Sequence, residues 1–144
     1  MQRIFSIFAT LTLLLASAAQ AAIPVTLYKN AGCSCCEAYI AYLKTHGFEV
    51  KAEDRTDMEQ IRKQWGSANA ASCHTMRIGK YTVEGHVPVA AISKLLKTKP
   101  VIAGIAVPGM PMNSPGMGTE KAGTLTVYAL NGKADGALPV FGKF

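Results

Sequence analysis

The sequence lacks the features that identify several large classes of protein. After residue 21 it has no run of about 20 apolar residues, the length that a membrane-spanning helix needs. The formal net charge is +6, but the basic residues are scattered and are not interleaved with aromatic ones, which argues against a nucleic-acid groove. The chain also has no internal repeats and no linker that would divide it. We therefore expect one domain that binds no nucleic acid and does not insert into a membrane.

The first 21 residues have the pattern of an export signal. Arg3 supplies the positive charge, residues 4–15 form a mostly apolar stretch, and Ala19-Gln20-Ala21 fits the rule for a cleavage site. The apolar stretch is too short to span a bilayer as a helix. The sequence therefore predicts a signal peptide at residues 1–21 and a single mature domain at residues 22–144.

The four cysteines are the strongest indication of chemistry. Cys33, Cys35 and Cys36 lie within four residues, and Cys73 is followed directly by His74. In an oxidising compartment the usual fate of cysteines is a disulfide, and both a local Cys33–Cys36 bond and a longer bridge to Cys73 remain open. Adjacent cysteines such as Cys35 and Cys36 pair only with unusual backbone strain, and a domain of this length does not need disulfides for stability. The pattern therefore favours metal or redox chemistry over stapling.

Methionines accompany the thiols. Residues 104–123 contain five glycines, three prolines and three methionines without periodicity, which predicts a long loop. Met110 and Met117 of this loop are better ligand candidates than Met58, which lies at core spacing on a predicted helix. Cu(I) prefers thiolates and thioethers, whereas zinc rarely takes a thioether and usually has its ligands in two separated pairs. A soft metal is therefore the first hypothesis, with zinc as the competing metal.

The hydrophobic periodicity predicts the element order β-α-β-α-β-β-α, followed by two further strands. Glycine ends the first two helices, at Gly47 and Gly66, and Gly79-Lys80 forms a hairpin turn. A capping box at Thr56–Glu59 opens the second helix, and Pro88 opens the third. The predicted strands are residues 25–29, 48–54, 76–78, 81–84, 125–130 and 138–141, with a turn at Asn131-Gly132 between the last two.

A strand, a Cys-x-x-Cys turn and a helix, followed by βαββα, resemble the thioredoxin fold. More specifically, the motifs at residues 25–36, 72–75, 83–88 and 107–117 together resemble the exported CopG-type copper-resistance proteins, long described as a domain of unknown function. The resemblance implies an α/β fold with a thioredoxin-like βαβαββα core, an additional C-terminal β-hairpin and a Met/Gly/Pro-rich loop. By matching positions it implies the metal ligands Cys33, Cys35, Cys36, Cys73, His74, His86, Met110 and Met117.

The resemblance also implies a function. It predicts a copper-binding protein of copper resistance in the periplasm of a Gram-negative bacterium, and the thiol donors favour Cu(I). Mixed thiolate and imidazole ligation further predicts that the site interconverts Cu(I) and Cu(II) and so prepares copper for an export pump or a periplasmic copper chaperone. Three thiolates on one turn can bridge more than one copper ion. The helix that begins near Cys35 and Cys36 directs its amide donors at these sulfurs, which predicts lowered thiol pKa values.

A thiol–disulfide oxidoreductase is the alternative, because Cys33 and Cys36 form a Cys-x-x-Cys pair at the thioredoxin active-site position. Two features oppose it. Cys35 inside the motif would scramble the disulfide, and Cys73-His74-Thr75 stands where thioredoxins have a cis-proline. The sequence leaves open whether the protein is an enzyme.

Overall fold

A computed structural model describes residues 21–131 and 136–144. The predicted signal peptide, residues 1–21, therefore lies outside the described residues except for its last position. The predicted turn at Asn131-Gly132 also lies outside them from Gly132 onward. The longest helix in the described part of the chain has 12 residues, and no helix there is long and apolar enough to cross a membrane.

The described residues form one mixed sheet of seven strands with three α-helices. The strands are β1 Ile23–Lys29, β2 Phe48–Asp54, β3 His74–Ile78, β4 Tyr81–Glu84, β5 Gly104–Ala106, β6 Thr126–Leu130 and β7 Val140–Lys143. The helices are α1 Ser34–Thr45, α2 Met58–Trp65 and α3 Val89–Thr98, and a 3-10 turn spans Ala68–Ala70. The strand order is β2-β1-β3-β4-β5-β6-β7, in which β1 with β2 and β4 with β5 are parallel and the other neighbours are antiparallel.

The sheet separates two environments because successive side chains on a strand point to opposite faces. Leu27, Met76 and Val83, all fully buried, pack with α1 and α3 on one face, and each such side chain contributes roughly 1.5–3 kcal/mol of transfer free energy. Tyr28 points to the other face, where its ring centroid lies 5.0 Å from that of Trp65 in α2. Helix α2 therefore covers the face opposite to α1 and α3, and Cys73 precedes a strand that runs between these two layers.

The α/β fold class and the predicted order of elements are confirmed, including β2, the hairpin around Gly79-Lys80 and the antiparallel pair formed by β6 and β7. Two local predictions are wrong. Residues 104–106 form β5 instead of loop, because Gly104 has no side chain and can lie directly against the backbone of Thr82. The capping box does not form, since Asp57 is the N-cap without a side-chain cap and its carboxylate instead accepts hydrogen bonds from Arg55.

Candidate metal centre

Three of the four thiols lie at the first turn of α1. Cys33 is the N-cap residue and accepts the backbone N–H of Cys36 and of Glu37 through its carbonyl oxygen, which draws Cys35 and Cys36 onto the same turn. Cys36 is fully buried, and it forms a disulfide with Cys33. The local disulfide that the sequence left open is therefore the one present, and no bridge to Cys73 forms.

Cys35 and Cys73 are free and half-buried. They connect α1 to β3 and to the loop after β5 that contains Met110, Met112 and Met117, which we call the methionine loop. The sulfur of Cys35 lies 3.4 Å from that of Cys33 and 3.6 Å from that of Cys73. The sulfur of Cys73 lies 2.8 Å from the thioether sulfur of Met110. All four cysteine sulfurs lie within 4.8 Å of one another. The tertiary structure thus gathers five soft donor atoms from three separate segments.

The two predicted histidine ligands form a buried aromatic cluster with Tyr39, which lies one helical turn after Cys36. His74 and His86 are fully buried, with their ring centroids 4.8 Å apart, and the Tyr39 ring lies 4.6 Å from His74 and 5.2 Å from His86. Neither histidine belongs to the group of four sulfurs that lie within 4.8 Å of one another. His74 points to the α1 face of the sheet, because it has the same strand parity as the core residue Met76.

Three imidazole nitrogens in this cluster have no hydrogen-bond partner among the described residues. Nδ1 of His86 lies 2.7 Å from the carbonyl oxygen of Pro115; since a carbonyl only accepts, Nδ1 carries the hydrogen and donates it. Nε2 of His86 therefore carries a lone pair that has no hydrogen-bond partner. Neither ring nitrogen of His74 has a hydrogen-bond partner among the described residues. Buried polar atoms are normally paired, so Nε2 of His86 and one ring nitrogen of His74 are available as metal ligands.

The electrostatics keep both rings neutral and the Cys73 thiol protonated. Burial, followed by the neighbouring His86, lowers the pKa of His74 to about 3, and burial lowers the pKa of His86 against the opposing effect of the Pro115 carbonyl. Burial, followed by the neighbouring Cys35 sulfur, raises the pKa of Cys73 to about 11. The Cys73 thiol must therefore release its proton before it can bind a metal ion as a thiolate.

The methionine loop is held against α1 beside this cluster. An added Cβ at Gly116, whose φ is +78°, would lie 2.8 Å from the backbone nitrogen of Tyr39, so only glycine fits at this contact. Met117 follows and donates its backbone N–H to Ser114. Met110 and Met112 are 55% and 67% exposed, so the thioether that touches Cys73 is also open to solvent.

Sequence reasoning missed Tyr39 and the polar groups that hold Ser72, the residue before Cys73. The i, i+3 spacing of Cys36 and Tyr39 was the available signal, because it places both residues on the same face of a helix. Ser72 bonds to Arg62, Glu84 and Gly109, contacts between distant segments for which the sequence carries no local pattern.

The fold and this site define the class: a thioredoxin-like α/β protein with a cluster of four cysteines suited to a metal ion. The model of a family described as "Protein of unknown function, DUF411" matches residues 70–117. Two solved structures are similar over 85% of this chain and 98% of their own. "Copper resistance protein copG- Form 1" is 34% identical with a TM-score of 0.74, and "Copper resistance protein copG- Form 2" is 33% identical with a TM-score of 0.73. No curated protein sequence matches.

The chain therefore belongs to the family of the copper-resistance protein CopG. The resemblance that the four sequence motifs indicate is confirmed. The donor set also agrees with copper, because two free thiols, a contacting thioether and neutral imidazoles are soft or borderline ligands.

Proposed function

We propose that this protein is a periplasmic copper-resistance protein that binds Cu(I) through the sulfurs of Cys33, Cys35, Cys36 and Cys73. The observation that carries this proposal is the continuous set of sulfur atoms, 2.8–3.6 Å apart, that runs from Cys33 through Cys35 and Cys73 to Met110. Sulfurs this close can share ions, so the site suits a thiolate cluster of more than one copper. Export of residues 22–144 after removal of the signal peptide is part of the same proposal.

Met110, Met117, His74 and His86 complete the proposed ligand set. Met110 contacts Cys73 directly, and the neutral imidazoles hold lone pairs close to Tyr39, which lies one helical turn after Cys36. Mixed thiolate and imidazole ligation suits both Cu(I) and Cu(II), so we propose that the site also interconverts the two states. The exposed thioether of Met110 is where copper would pass to an export pump or a periplasmic copper chaperone.

The state of the Cys33–Cys36 disulfide should decide how much copper the site holds. Reduction frees two thiols beside Cys35 and Cys73, whereas the disulfide removes both from the donor set. We expect anaerobically reduced protein to bind Cu(I) tightly, with sulfur-to-copper absorption in the ultraviolet, and the disulfide form to bind fewer equivalents. Titration of the two forms with Cu(I) tests this, and absence of tight binding by the reduced form would rule out the proposed site.

Copper binding should strengthen as the pH rises. Because the pKa of Cys73 is raised to about 11, this thiol holds its proton at neutral pH and must release it to bind metal as a thiolate. We expect the apparent Cu(I) affinity to rise about tenfold per pH unit for each proton released. Competition with a Cu(I) chelator of known pH dependence measures the slope. Cys73→Ser should reduce that slope by one proton, and an unchanged slope would contradict the assignment.

A thiol–disulfide oxidoreductase remains the second candidate, because the Cys33–Cys36 disulfide lies at the first turn of α1, as in thioredoxin-like enzymes. An insulin-reduction assay with a dithiol donor separates the two functions. Robust turnover that survives both Cys35→Ser and Cys73→Ser would assign the site to thiol exchange, whereas tight Cu(I) binding without turnover would assign it to copper.

A further inference from the structure

A buried ion pair lies directly behind Cys73, on the α2 face of the sheet. Glu84 is fully buried at the end of β4, and its Oε1 lies 3.0 Å from Nε of Arg62 in α2, whose side chain is 12% exposed. Removing two charges from water costs several kcal/mol per ion, so a buried pair is weak evidence for a purely stabilising role. The other hydrogen bonds of this pair indicate what it does.

These hydrogen bonds converge on Ser72, the residue before Cys73. The backbone N–H of Ser72 donates to Oε1 of Glu84 at 2.9 Å, and Nη2 of Arg62 donates to the carbonyl oxygen of Ser72. Oε2 of Glu84 accepts a hydrogen bond from Ser67 at 2.8 Å, which fixes the carboxylate from its other side. Both peptide groups that flank Ser72 are therefore held, and with them the backbone that carries the Cys73 sulfur.

Ser72 also reaches the methionine loop. Its hydroxyl donates to the carbonyl oxygen of Gly109, the residue before Met110, and the N–H of Gly109 donates to Ala71 at 3.2 Å. The residue that precedes Cys73 is thus bonded to the residue that precedes Met110. We call the hydrogen bonds of Ser72 with Arg62, Glu84 and Gly109 the clamp. The sulfurs of Cys73 and Met110 lie 2.8 Å apart, so the clamp joins a thiol and a thioether from segments 37 residues apart in sequence.

We propose that Arg62, Glu84 and Ser72 are positioning residues that hold the Cys73 thiol and the Met110 thioether together for Cu(I). This inference rests on the proposed function. Mutation of a group that orients a metal ligand through a hydrogen bond typically lowers metal affinity 10–100-fold, although the group does not touch the metal. The clamp acts by the same principle: it orders the methionine loop before the metal arrives, so that binding does not have to order it.

Ser72→Ala tests the clamp most directly, because it removes one hydroxyl from a half-buried position and leaves every proposed ligand in place. We expect it to lower Cu(I) affinity about tenfold, measured by competition with a chromophoric Cu(I) chelator. We also expect non-additivity with Met110→Leu: in the Ser72→Ala background, the loss of the thioether should cost much less than it does in the wild type. A purely structural serine would give additive losses.

Glu84→Gln tests the ion pair. It keeps the shape of the side chain but removes the charge that faces Arg62, and we expect a loss of Cu(I) affinity of about 10–100-fold together with a shift of the sulfur-to-copper absorption. Thr82→Val is the matched control: Thr82 is buried on the same strand and face and bonds to Trp65, not to Ser72. It should lower the melting temperature while leaving affinity and spectrum unchanged.

The outcomes separate the inference from the proposed function. Failure of the reduced wild type to bind Cu(I) would overturn both, whereas tight wild-type binding that Ser72→Ala leaves unchanged would overturn the inference alone. Additive losses in the cycle of Ser72→Ala with Met110→Leu would also overturn it. If Glu84→Gln does not fold, that cycle decides, since neither of its substitutions lies in the core.

Discussion

Replacing Cys73 by serine should lower the Cu(I) affinity of the reduced protein by more than about 100-fold, beyond the range seen when only a supporting group is lost. The sulfur of Cys73 connects the thiols of α1 to the thioether of the loop, lying 3.6 Å from that of Cys35 and 2.8 Å from that of Met110. A serine hydroxyl is a hard donor that Cu(I) does not favour, so the site loses its bridge as well as one ligand. Chelator competition under anaerobic conditions measures the loss.

Ser34→Ala is the control for this substitution. Ser34 lies in the same four-residue turn as three of the cysteines, is exposed and offers no sulfur, so its loss should leave Cu(I) affinity within about twofold of the wild type. Equal losses in Cys73→Ser and Ser34→Ala would mean that both substitutions disturb the fold of the protein instead of a metal ligand, and they would contradict the proposed copper site. The urea unfolding midpoint of each variant, measured without copper, distinguishes these causes.

Replacing Gly104 by alanine should lower the free energy of unfolding by about 3 kcal/mol or more, the upper end of the usual cost of overpacking. An added Cβ would overlap the backbone oxygen of Thr82, where no flexible side chain can move aside. Strands β4 and β5 would have to separate, although they pair in register from Thr82 with Gly104 to Glu84 with Ala106. Urea unfolding followed by circular dichroism measures the change.

Gly79→Ala is the comparison that isolates the backbone clash. Gly79 has a φ of +56° and open space around an added Cβ, so alanine there meets only the left-handed strain of roughly 1–2 kcal/mol. A Gly104→Ala variant as stable as Gly79→Ala would contradict the close β4–β5 contact. Because β5 leads into the methionine loop, Gly104→Ala should also weaken copper binding, whereas Gly79→Ala should not.

Most of the fold could be predicted from local patterns. The alternation of Phe48 to Asp54 predicts β2 with the bounds that the structure shows, and Gly79-Lys80 correctly predicts the β3–β4 turn. Strand β5 could not be predicted, because three residues rich in small side chains carry no alternation and pair in parallel with a strand about 20 residues earlier. The capping box at Thr56 failed because Asp57 is drawn to Arg55 instead.

The candidate site also has features that the sequence predicts and features that it does not. The sequence alone determined the donor chemistry, because three thiols on one turn, a fourth beside a histidine, and methionines in a loop without core periodicity are visible in the order of residues. Only the tertiary structure decided which donors meet. Packing places the His74 ring against Tyr39 in the buried aromatic cluster, and the bonds of Ser72 place Met110 on the Cys73 sulfur.

The physical reason is the range of the interactions. A helix turn gathers Cys33, Cys35 and Cys36 by local geometry, so their spacing in sequence is sufficient to predict that they lie together. The contact of Cys73 with Met110 depends on a buried ion pair and a sheet that join residues far apart in the chain, and such contacts form only when the whole domain folds.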